Sequence, residues 1–205
     1  MGLKITSNDK GSSIEAGAWP AVCCGYVDLG TQTSQFEAKV AHKIMILWDM
    51  PDQRISIDGK SLPRRISARY TASLHEKASF RKVLDGWLGR LKPEEVASFD
   101  LDTIVGKPCL LNISNKEKPD GKSFASVSSV MPLPKGMPRP ALEVEAVRYC
   151  LTDDKGNVNT DFGLVADWMQ KIIKESHEWK AAMGEAPSQV GGDNEVRHLS
   201  SEVPF

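Results

Sequence analysis

The chain has 205 residues, of which 40% are hydrophobic and 26% charged. That length and balance give one domain of ordinary size with tails, or at most two small ones, and exclude a wholly disordered chain. The longest apolar run, Ile44-Met45-Ile46-Leu47-Trp48, is of strand length, far short of the ~18 residues that span a membrane. The opening Met1-Gly2-Leu3-Lys4-Ile5-Thr6 has no apolar signal core, and Cys23, Cys24, Cys109 and Cys150 form no C-x-x-C pair. Free thiols in a reducing cytoplasm are the expectation. The net charge of −1 hides an asymmetry: residues 1–140 hold 20 Lys and Arg against 15 Asp and Glu, and residues 141–205 hold 6 against 12. A basic front suits an anionic ligand and an acidic back a separate duty, although a five-charge excess also falls within scatter.

In chain order, residues 1–17 are polar and rich in Gly and Ser and read as a flexible arm. Residues 18–29 are rich in strand formers, and Gly25 in their middle marks a bulge or bend. A second strand runs from Phe36 to Trp48, with Phe36, Val40, Ile44, Ile46 and Trp48 on one parity and Glu37, Lys39 and Lys43 on the other. After an Asp58-Gly59 turn, residues 64–71 alternate again, placing Arg65, Ser67 and Arg69 on one face. The period then changes. Ser73, with Glu76 completing a capping box, is expected to cap a helix reaching Leu88, whose buried stripe is Phe80, Val83, Leu84, Trp87 and Leu88. A short helical turn at 93–96 follows. A fourth strand at Cys109–Ile113, an Asp120-Gly121 turn and a fifth strand at Lys122–Val130 complete the body.

The order β-β-β-α-β-β makes the fold class mainly β: a five-stranded OB-fold barrel with one inter-strand helix. A one-helix sandwich or an SH3-like barrel is the alternative. Residues 18–150 form the expected OB-fold nucleic-acid-binding domain, with four prolines in residues 131–140 stiffening a connector and residues 142–149 adding an edge strand. Residues 151–183 form a C-terminal extension. Its amphipathic helix opens at Thr160 or Asp161 and runs to about Met183, its stripe packing on the barrel or on a second copy in a homodimer. Residues 184–205 are Gly, Ser, Pro and acid rich and read as a disordered acidic tail.

Single-stranded nucleic acid demands a basic groove along its backbone and rings on which bases stack. Lys39, Lys43, Arg65, Arg69 and Lys122 are the candidate cations, and Phe124, Tyr26 and Phe36 the candidate rings. Phe124 sits between Lys122 and Ser126, on a polar face where a core ring is out of place, whereas Trp48 follows the core parity. Any one of these cations alone reads as a solvated face; four or more on one sheet read as a binding surface. Chemistry of other kinds lacks its residues. There is no Gly-rich phosphate loop, and His42, His75, His177 and His198 are scattered without zinc spacing. His75 beside Glu76 reads as a capping region rather than a catalytic pair. A chain that is not an enzyme and needs no cofactor is the expectation.

Glu202-Val203-Pro204-Phe205, with Asp193 and Glu195 upstream, resembles the tip of bacterial single-stranded DNA-binding proteins, in which an acidic stretch precedes an apolar residue, Pro and Phe. Arg197 and His198 interrupt the acidic stretch here. The body resembles phage and prophage single-stranded DNA-binding proteins at residues 70–78, 105–113, 129–136 and 175–180. The resemblance implies sequence-independent binding of single-stranded DNA during phage replication or recombination, in the cytoplasm of a bacterial host. It also implies recruitment of replication or recombination proteins by Glu202, Val203, Pro204 and Phe205, with Phe205 filling an apolar pocket on the partner. A protein-interaction adaptor docking through residues 161–183, and a strand-annealing recombination protein, are the rival readings.

Overall fold

The seventeen residues of β1 (Gly17–Thr33) run through the middle of a curled antiparallel sheet. The computed structural model describes residues 14–34, 39–57, 59–117, 121 and 123–184. Strands β2 (Val40–Ile57) and β3 (Lys60–Thr71) form a hairpin; α1 (Ser79–Leu88), α2 (Pro93–Ala97) and a 3-10 turn (Leu101–Ile104) then lead to the hairpin of β4 (Pro108–Glu117) and β5 (Ser123–Met131). The sheet order is β3-β2-β1-β4-β5, every one of these pairs antiparallel. The sheet curls until β3 and β5 approach each other, and α1 packs against both. The mainly β class and the order of elements are those the sequence predicts.

The helix between β3 and β4 starts later than expected. Ser73 Oγ accepts the His75 N–H at 3.3 Å, and His75 Nδ1 accepts the Lys77 N–H at 3.3 Å, so this stretch turns instead of winding. Helix α1 begins at Ser79, after an extended Ala78 with no side-chain cap. Its stripe is as predicted: Phe80, Leu84 and Trp87 are buried, and Val83 and Leu88 pack against the same core. That core fills the concave side of the sheet, with Ile44, Ile46, Trp48 and Met50 of β2 pointing into it.

A second apolar cluster lies on the other side of β1 and β2. Met45 and Leu47, at the alternate parity of β2, join Cys24, Val27 and Leu29 of β1 under the C-terminal segment. The run from Ile44 to Met50 is therefore buried on both faces. The edge strand expected over residues 142–149 is only β6 (Val147–Tyr149), and it lies parallel to Gly25–Val27. Strand β4 pairs with β1 as far as Val22, and β6 takes over that side of β1 beyond it. The single helix expected from residue 160 to 183 is two, α3 (Asp167–Lys174) and α4 (His177–Ala182). Fully buried Ser176 breaks it by accepting the Trp179 N–H at 3.2 Å, a new N-cap. Val165, Met169 and Ile173 carry the stripe onto the sheet, while Leu164 and Met183 at its two ends stay exposed.

Two glycines of β1 make this docking possible. A Cβ on Gly25, at φ 148°, would sit 1.9 Å from the Val147 carbonyl oxygen; one on Gly30, at φ 69°, would sit 2.5 Å from a Leu151 methyl. Both lie at register shifts in the β1–β2 ladder, as the bulge predicted at Gly25 requires. Beside Gly30, Glu178 of α4 accepts the Thr31 N–H at 2.8 Å and the Thr31 hydroxyl, tying α4 to the sheet. No helix among the described residues is long and apolar enough to cross a membrane. The arm and the tail predicted at the two termini lie almost wholly outside the described residues, as does Asp120 of the predicted turn.

Candidate nucleic-acid interface

Strict alternation sorts the β2–β3 ribbon into two faces. Ile66, Ala68 and Tyr70 stand opposite Trp48, Ile46 and Ile44 and face the core; Arg65, Ser67 and Arg69 stand opposite Asp49, Leu47 and Met45 and face outward. Lys43 lies on that outward face too, opposite Thr71, to whose hydroxyl its ammonium donates at 2.7 Å. Three of the predicted cations thus share one face.

They are not equivalent. The Arg65 guanidinium grips the Asp49 carboxylate with both prongs, Nε to Oδ1 at 2.7 Å and Nη2 to Oδ2 at 3.0 Å. Asp49 is 1% exposed, so this pair neutralises a buried charge at the end of the apolar run. The two bonds use two of the five N–H donors of Arg65, and the Cys24 thiol is a further neighbour of the same guanidinium. Arg69 is exposed and makes no ion pair among the described residues. It is the cation of this face with no structural duty. Lys39 is exposed just ahead of β2, where its carbonyl accepts the Ser34 N–H at 2.8 Å and closes the base of the β1–β2 loop.

The β4–β5 hairpin presents a polar outward face. Ser126 stands opposite Ser114 and Phe124 opposite Lys116, while Ser128 donates to the Ser114 hydroxyl at 2.7 Å. Phe124 is half-buried and belongs to neither apolar cluster. A ring on a face of Ser, Asn and Lys has the surroundings expected of a stacking platform.

Tyr26 does not. It pairs with Ile46 on the core-facing parity, is 7% exposed and belongs to the inner cluster, so it is a core ring rather than a stacking ring. Burial pushes its phenol up, and nearby Cys150 and Asp102 add to the rise. Phe36 and Lys122, and the predicted partner-binding residues Glu202, Val203, Pro204 and Phe205, lie outside the described residues. Among the described residues no group of three or more His, Cys, Asp and Glu side chains is placed to hold a metal ion.

The C-terminal segment changes the shape of the surface. By covering Met45 and Leu47 it takes the β1–β2 part of the outward face, leaving Arg65 and Arg69 of β3 along its margin. Nothing in the primary structure of β3 signals this narrowing; the signal was in β2, where Ile44–Trp48 is apolar at both parities. The Asp49 partner of Arg65 was likewise readable only once the hairpin register is known. No protein-family model matches the chain, and no curated protein matches it in sequence.

Proposed function

We propose that this protein is a non-enzymatic OB-fold binder of single-stranded DNA, coating it without sequence preference during phage replication or recombination. The observation that carries the reading is the curled β3-β2-β1-β4-β5 sheet with α1 inserted between β3 and β4 and packed against β3 and β5. That order is compatible with an OB-fold barrel, a class whose strand 2–3 surface and adjoining loops handle oligonucleotides. Lys43 and Arg69 on the outward face supply positive charge there, the charge of Arg65 being matched by Asp49, and Phe124 of β5 is the ring of the β4–β5 face. With the β1–β2 surface covered by the C-terminal segment, the strand would run along the β3 and β5 side of the barrel. The segment Glu202-Val203-Pro204-Phe205 would recruit replication or recombination proteins in the bacterial cytoplasm.

The adaptor reading through residues 161–183 loses the middle of its docking stripe, because Val165, Met169 and Ile173 are already seated on the sheet. The test is electrophoretic mobility of labelled oligo-dT with the wild type, Arg69→Glu and Phe124→Ser. The wild type shifts the oligonucleotide at low salt, and the paired substitutions abolish the shift without unfolding the protein. A wild type that shifts nothing at low salt defeats the reading. Acceleration of pairing between complementary strands would instead mark an annealing protein.

A further inference from the structure

A groove with a volume of 530 Å³ opens between the last turn of α1, the start of β4 and the proline-rich segment that follows β5. Recognition sites for compact ligands fall at about 300–1,000 Å³. Leu88, Pro108, Leu133 and Met137 supply apolar wall, and Met137 is 40% exposed. Lys107, Lys135 and Arg139 supply three exposed cations, and no carboxylate lines the groove.

The three cations differ from four of the nine arginines of the chain. Arg54, Arg65, Arg81 and Arg148 each hold a carboxylate, whereas Lys107, Lys135 and Arg139 make no ion pair among the described residues. Lys107 is also fixed in place: its backbone donates to Ile104 and its carbonyl accepts the Cys23 N–H at 3.1 Å. Pro132 and Pro134 stiffen the opposite wall, so the groove is preformed. The aromatic side chain in its lining, Trp87, is 4% exposed, belongs to the inner core and donates its indole N–H to the Pro108 carbonyl at 3.0 Å. It offers no open ring face on which a base could stack, so the groove lacks half of what a single strand requires.

We infer that this groove docks an acidic peptide of a partner protein. An extended segment would seat one apolar side chain against Leu88, Leu133 and Met137 and set carboxylates against Lys107, Lys135 and Arg139. The apolar side chain gives affinity through buried area, and the carboxylates give register and steer the encounter. This site is separate from the strand path on β3 and β5 and does not depend on it.

The test uses the full chain and a fluorescein-labelled peptide, Glu-Asp-Glu-Leu-Phe-Asp-Glu, with two control peptides: one with Gln for every acid and one with Ser for Leu and Phe. Anisotropy should show saturable binding of the acidic peptide, weakened about tenfold or more in either control and in Lys135→Glu/Arg139→Glu. Both substituted side chains are exposed, so the variant keeps its fold, and its melting temperature and oligo-dT binding should match the wild type. Absence of saturable peptide binding to the wild type overturns the inference, as does equal binding by the variant. Loss of oligo-dT binding in the same variant assigns the groove to nucleic acid and overturns it too. Self-association of the wild type that the variant abolishes assigns it to a second copy. A gain in peptide affinity on changing Glu185, Asp193, Glu195 and Glu202 to Gln assigns it to the chain's own residues 185–205. Either result overturns the partner assignment.

Discussion

Replacing Arg65 and Arg69 one at a time by Ala separates the ion-pairing duty of Arg65 from the strand-binding duty proposed for Arg69. Asp49 is 1% exposed and both its oxygens are held by Arg65, whose own side chain is 33% exposed. Breaking a fully buried ion pair by removing one partner costs about 3–5 kcal/mol, because the remaining charge is stranded. Water reaches the Arg65 side of this pair, which lowers the expected loss for Arg65→Ala to about 2–3 kcal/mol. Arg69 has no such partner, so Arg69→Ala should change stability by less than about 0.5 kcal/mol. Urea unfolding measures both, and the midpoint should move with an unchanged slope. Asp49→Ala together with Arg65→Ala should cost less than the two single losses added, with a coupling energy of about 1 kcal/mol or more. In oligo-dT binding the order reverses: Arg69→Ala should lower the salt slope by about 0.7, the share of one phosphate contact. Equal stability losses at positions 65 and 69, or no coupling between 49 and 65, would contradict the buried-pair role of Arg65.

Three further outcomes follow from the same geometry. Gly25→Ala should destabilise by about 2–5 kcal/mol, from a backbone conformation that L-residues avoid and from the clash with Val147, and should expose the segment after residue 140 to protease; a loss below about 1 kcal/mol contradicts the docking of β6. His42 Nε2–H donates to the Asp28 carboxylate at 2.7 Å with Glu178 at 3.8 Å, and the hydrogen bond to Asp28 raises its pKa above the ordinary 6.5. A raised histidine contributes stability that is complete below 6.5 and is lost as pH rises through the higher folded value, so the gap between wild type and His42→Gln should close on going from acid to alkaline pH; a gap that widens with pH contradicts the pairing. Cys150 is exposed while Cys23, Cys24 and Cys109 are buried, with burial pushing the Cys23 thiol up to about 12. A thiol reagent should therefore titrate one thiol in the native protein and the other three only on unfolding; rapid reaction of two or more refutes the packing.

The residues that alternate or repeat at helical spacing were legible without coordinates. Phe80, Leu84 and Trp87 fall on one side of α1 because their spacing matches the helix, and Arg65 and Arg69 share a face because theirs matches a strand. What required the third dimension were contacts between distant segments. Capping propensity put a helix start at Ser73, but its hydroxyl is taken by the His75 N–H, and Ser176 interrupts an otherwise continuous periodic stripe by bonding to Trp179. Strand β2 was expected to stop at Trp48, yet it continues past Pro51 to Ile57. The ladder with β3 shifts between Met50 and Arg54, so Pro51 falls where no ladder partner is needed. An aromatic residue on a strand, such as Tyr26, fits a stacking ring and a core ring equally until the register is known; the bulge at Gly25 turns it into the core.

Binding of single strands through an electrostatic, sequence-independent surface is the function proposed for this curled sheet. Its most direct test is anisotropy of labelled oligo-dT of about thirty nucleotides beside a duplex of the same length, at about 50 mM and about 200 mM salt. The expected result is saturable binding to the single strand, much weaker binding to the duplex, and a single-strand affinity that falls steeply between the two salts. Binding to neither at the lower salt, or equal binding to both, would contradict that function.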